Sequence, residues 1–82
     1  MSRKSQPATM PLTMLRPGES AHVSHITAGH GASRKLTAMG IAPGVKISIL
    51  NTQSGPLLVR IGDARVALGR GMAHRVMVTA AS

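Results

Sequence analysis

Apolar and polar residues alternate over several short stretches of this chain, and proline or glycine interrupts the pattern between them. Val45, Ile47 and Ile49 alternate with Lys46 and Ser48, the period-two signature of a half-buried strand. Leu57, Val59 and Ile61 repeat it against Leu58 and Arg60, and Ala64, Val66 and Leu68 repeat it after Gly62-Asp63, a short hairpin signal. Val76 and Val78 mark a last strand over Arg75–Thr79. The stretch Ser20–Thr27 is less regular: Ala21 and Val23 share a face, but Ile26 is out of phase. A bulge between Val23 and Ile26 restores burial of both.

One segment carries a different period. Leu36 and Met39 stand at i and i+3 and share a helical face. Gly40 follows, where a left-handed residue closes a helix. Ser33 is a candidate N-cap for a helix over Arg34–Met39. That start places Arg34 and Lys35 in the first turn, where the helix dipole disfavours cations; a start nearer Gly31 avoids the conflict. Ala42-Pro43-Gly44-Val45 and Arg16-Pro17-Gly18-Glu19 both read as type II turns, with proline presetting φ and glycine accepting φ > 0. Leu12 and Leu15, with Met14 beside them, form an apolar anchor onto the body. Gly69 to His74 has room for a tight turn or a 3₁₀ segment, and its two glycines argue against a proper helix. Residues 1–9 read as a disordered, basic tail and 80–82 as a frayed end, leaving 10–79 as the folded unit. Five strands with one short helix inserted after the first predict an all-β fold, a small barrel whose closure removes exposed edges.

Composition narrows the function classes. The 82 residues make one domain, and 43% hydrophobic content supports a folded core. The absence of cysteine excludes a disulfide frame and thiolate metal ligation. No apolar run approaches the ~18–20 residues of a membrane span, and no secretory h-region is visible, so the expectation is a cytoplasmic protein without direct membrane insertion. Ten Lys and Arg against Glu19 and Asp63 give a net charge of +8. That excess points to an acidic partner or to a solvated basic surface. The chain has no aromatic residue, which removes the stacking platform of most single-strand binders. A basic nucleic-acid-binding module is therefore the rival reading, favoured by charge and opposed by the missing aromatics and dispersed cations.

Candidate chemistry is sparse. Both carboxylates fall in turn signals, and no nucleophile has an evident base, so no catalytic residue is assigned. His22, His25, His30 and His74 lack the spacing and acidic neighbours of a metal centre; on a regular strand, His22 and His25 point to opposite faces. No metal or cofactor site is expected. Arg34, Lys35, Leu36 and Met39 are the candidate partner-binding residues, a small basic and apolar patch in which charge steers encounter and apolar groups supply area. The alternative is that Leu36 and Met39 seat the helix and the two cations are solvated.

The order of these signals resembles the FeoA family. The resemblance is carried by Leu36-x-x-Met39-Gly40-Ile41-x-Pro43-Gly44, by Leu12, Leu15 and Gly18, by Gly55-Pro56-Leu57, and by Val66-Ala67-Leu68 with Ala73, Val76 and Val78. It spans about residues 10–79. The resemblance implies an SH3-like barrel with a short helical insertion. It also implies a non-catalytic accessory role in bacterial ferrous iron uptake. The implied partner is the membrane ferrous iron permease with its cytosolic G-protein domain. One departure stands out: between Gly69 and His74, where the family has a short helix, this chain has two glycines, so a looser segment is expected there.

Overall fold

The computed structural model describes residues 8–52 and 55–80; most of the tail expected at 1–9, and residues 81 and 82 of the expected frayed end, lie outside them. Strands β1 (Met10–Pro11), β2 (Ser20–Ile26), β3 (Lys46–Asn51), β4 (Leu57–Ile61), β5 (Ala64–Leu68) and β6 (Val76–Ala80) form one antiparallel sheet in the order β1-β6-β2-β3-β4-β5. Helix α1 (His30–Ala38) lies between β2 and β3, and the one-turn helix α2 (Arg70–Ala73) precedes β6. The mainly β architecture with a helix after the first long strand is the one the alternation predicts.

The inward positions meet in one core. Leu12, Val23, Leu36, Ile41, Ile47, Ile49, Leu57, Val59, Leu68, Val76 and Val78 are all buried in it. Aliphatic side chains alone fill this volume, and the described residues include no buried polar or charged side chain. The predicted bulge is present: the β2–β6 register shifts between Val23 and His25. Both Pro-Gly turns form as well, with Gly18 at φ +90° and Gly44 at φ +91°. Glu19 closes its turn twice, its amide donating to the Arg16 carbonyl at 3.0 Å and its carboxylate accepting from the Arg16 amide at 2.6 Å. At Gly62-Asp63, only Gly62 has positive φ (+60°), as in a type II′ hairpin turn.

Four local expectations are corrected. The barrel is not closed by hydrogen bonds: among the described residues, β1 and β5 are the two ends of the sheet and do not pair. The sheet has six strands where five are expected: β1 has two residues and one of them is proline, which cannot donate to a ladder and sits at sheet edges, and so short an element leaves no periodicity to read. The segment after Gly69 is a helical turn despite its glycines, with the Ala73 amide donating to Gly69 and that of His74 to Arg70, both at 2.9 Å. Ala73 is completely buried, so a tertiary seat overrides weak local propensity. Ala64, expected inward, is exposed because it flanks the hairpin beyond the core.

Candidate functional site

Helix α1 begins a full turn earlier than Ser33 would place it. Its N-cap is Gly29, and Ser33 is an interior residue whose amide donates to the Gly29 carbonyl at 2.9 Å. This reverses the electrostatics of the two cations. Lys35 lies in the last turn and Arg34 just before it, where the negative end of the helix dipole favours positive charge. Both side chains are exposed.

The C-terminal end is built by the Leu36–Ile41 sequence itself. The Gly40 amide donates to Thr37 and the Ile41 amide to Leu36, each at 2.9 Å, with Gly40 at φ +92°. These two bonds define a Schellman ending, whose hydrophobic clasp joins the third residue from the helix end to the second residue beyond the cap. Here the clasp residues are Leu36 and Ile41, both 0% exposed. The turn at 42–45 then returns the chain to the sheet, with Gly44 donating to Val23 at 2.8 Å and Val23 donating to Val45 at 2.9 Å.

The candidate patch therefore divides. Arg34 and Lys35 are exposed, Met39 is half-buried and packs against the core, and Leu36 is enclosed. Leu36 is corrected from a surface contact to the residue that seats the helix, because the Schellman clasp turns it inward.

The histidines do not gather into a metal centre: among the described residues, no group of three or more His, Cys, Asp or Glu is placed to hold one. The β2 bulge does change their geometry. His22 pairs with Thr79 and His25 with Met77, so the extra residue brings both histidines to the same face, which a regular strand would not. The Ser24 hydroxyl lies 3.1 Å from His25 Nδ1.

A second cluster was not anticipated. Lys46, Ser48, Arg60 and Gly62 line a cleft of about 320 Å³ on the outer side of β3 and β4. Alternation marks Lys46, Ser48 and Arg60 as outward residues, but only the β3–β4 register, Ser48 opposite Arg60, brings them together. Arg70 serves the scaffold instead. Its Nε donates to the Gly55 carbonyl at 3.1 Å and its Nη2 to that of Thr52 at 2.6 Å, tying α2 to the β3–β4 connection.

An antiparallel sheet around an aliphatic core, with one helix inserted in the β2–β3 connection, defines a small SH3-like β module presenting basic surfaces. The family model for the FeoA domain matches residues 10–80, and the chain belongs to that family. It is 38% identical over 68 residues to "Putative Fe(2+) transport protein A" of Methanocaldococcus jannaschii, covering 83% of each chain. A crystal structure described as an iron uptake regulatory protein (FeoA) superimposes with a TM-score of 0.81 at 41% identity, covering 87% of this chain and 95% of that one. The Stenotrophomonas maltophilia FeoA, crystallised with zinc and described as a prokaryotic SH3 domain protein, gives a TM-score of 0.74 at 31% identity, with 84% and 88% covered.

Proposed function

We propose that this protein is a non-catalytic, cytoplasmic accessory module of ferrous iron uptake that docks through α1 on the cytosolic G-protein region of the membrane iron permease and modulates transport. Family membership over residues 10–80 supports the link to ferrous iron transport. The observation that carries the surface is the division along α1: Leu36 and Ile41 clamp the helix to the core while Arg34 and Lys35 project from it. A rigidly held helix with solvated cations loses little further entropy on binding, and its charge steers an acidic surface into register. No described helix is long and apolar enough to cross a membrane.

The test is the double substitution Arg34→Glu and Lys35→Glu. Both side chains are exposed, but each reversal sets a negative charge near the negative end of the helix dipole, so stability is expected to fall by about 0.5–2 kcal/mol while the fold is kept. Binding to the purified G-protein region is expected to weaken, mainly through a slower association rate and a flatter salt dependence. Unchanged association by the folded double variant would reject α1 as the docking face.

A further inference from the structure

The cleft on the outer face of β3 and β4 is lined by two cationic side chains, a serine and a glycine. Lys46 supplies an ammonium and Arg60 a guanidinium; Ser48 adds a hydroxyl and Gly62 exposed backbone. Ser48 Oγ lies 2.9 Å from Ser20 Oγ. One hydroxyl donates to the other, and when Ser20 is the donor the Ser48 proton is left to a ligand in the cleft. The register extends this basic character across the sheet. His22 stands opposite Lys46, Ser20 opposite Ser48, and Arg60 opposite Arg65. Like charges directly opposite on antiparallel strands repel, so Arg60 and Arg65 hold a positive potential that a bound anion would relieve. Of the two carboxylates in the chain, Glu19 is engaged in its own turn and Asp63 sits at the exposed hairpin tip beside Gly62.

We propose that this cleft binds a phosphate-type oxyanion, a compact group carrying two or more negative charges. A single carboxylate offsets one of the two cations that line the cleft; a phosphomonoester or polyphosphate offsets both in a similar volume and has acceptors for a guanidinium, an ammonium and a serine hydroxyl. The size, about 320 Å³, lies near the lower end of small-ligand sites, which run from roughly 300 to 1,000 Å³. The lining includes no aromatic or large apolar side chain, so recognition stops at the phosphate group. The same lack of stacking surface favours a discrete polyanion over a nucleic-acid strand. This site is separate from α1, and either assignment can fail without the other.

The experiment is an NMR titration of the isotopically labelled full chain with inorganic tripolyphosphate at ~150 mM salt, where surface charges beyond about 8 Å are screened. Saturable shifts are expected in the amides of Lys46, Ser48, Arg60 and Gly62, with those of Arg34 and Lys35 unmoved. Lys46→Gln with Arg60→Gln is expected to weaken binding roughly tenfold or more, the consequence of losing hydrogen bonds to charged groups. Arg65→Gln is expected to weaken it less, and Arg34→Gln with Lys35→Gln not at all. The thermal midpoints of these surface variants serve as the folding control. Shifts spread evenly over every basic residue, or equal affinity in the cleft variants, would overturn the proposal. Citrate binding as tightly as tripolyphosphate would overturn the phosphate preference, and a DNA duplex binding more tightly through the same four residues would replace it with a nucleic-acid site.

Discussion

Two glycines of the inserted helix offer a comparison in which the same chemical change has opposite signs. Gly40 holds φ +92° at the Schellman position, whereas Gly31 lies inside α1 without a positive φ. A Cβ added at Gly40 would meet Ile61 Cγ2 at 3.7 Å, an ordinary contact, and one added at Gly31 would meet nothing within 4 Å. Steric clash is thus removed from both sites, and backbone conformation decides the outcome. Gly40→Ala forces an L-residue into the left-handed region, at a cost of about 1–2 kcal/mol. Gly31→Ala reduces the freedom of the unfolded chain and favours the helix, a gain of about 0.4–1 kcal/mol. The variants are expected to differ by roughly 1.5–3 kcal/mol, on either side of the parent. Urea unfolding followed by far-UV circular dichroism measures this. With a slope of about 1 kcal/mol/M for so small a domain, the midpoint should fall by about 1–2 M for Gly40→Ala and rise by about 0.4–1 M for Gly31→Ala. Gly40→Asn should lose less than Gly40→Ala, because asparagine tolerates the left-handed region. Equal midpoints for Gly40→Ala and the parent would refute the Schellman assignment and the account of how Leu36 is turned inward.

The same helix makes two further predictions. Leu36 is completely buried, so Leu36→Ala should lower stability by about 2–5 kcal/mol in the same urea assay; a loss below about 1 kcal/mol would show that α1 is not anchored through this residue. Gly29 caps α1 without a side-chain hydrogen bond, and the first turn holds no acidic residue. Gly29→Asp should therefore raise the thermal midpoint, by an amount corresponding to about 0.3–1 kcal/mol and shrinking as salt is added; a lowered midpoint would place the helix start elsewhere.

What was legible beforehand follows from the range of the interactions that set it. The alternation at 45–49 and 57–61, the Pro-Gly turns at 17–18 and 43–44, and the hairpin at Gly62-Asp63 depend on residues a few positions apart, and each appears in the structure. Even the β2 bulge was readable, because Ile26 breaks phase within its own strand. The candidate patch was legible only in part. Arg34 and Lys35 are exposed as the helical pattern requires, but the pattern could not distinguish a partner-facing Leu36 from one clasped to Ile41. The family motif around Gly40 marked the helix ending without showing which of its side chains face solvent.

By itself, the order of residues determined the five longer strands, the turns that separate them and the place of the inserted helix, because backbone preference and side-chain period act locally. Tertiary structure alone decided that Arg70–Ala73 coils, since burial of Ala73 outweighs the interior glycine Gly71, while Gly69 is an accepted N-cap. It alone paired Met10–Pro11 with β6 and, among the described residues, left the sheet open at β5. It alone set Lys46, Ser48 and Arg60 around one cleft, because strand register is a contact between distant parts of the chain and no single strand carries it.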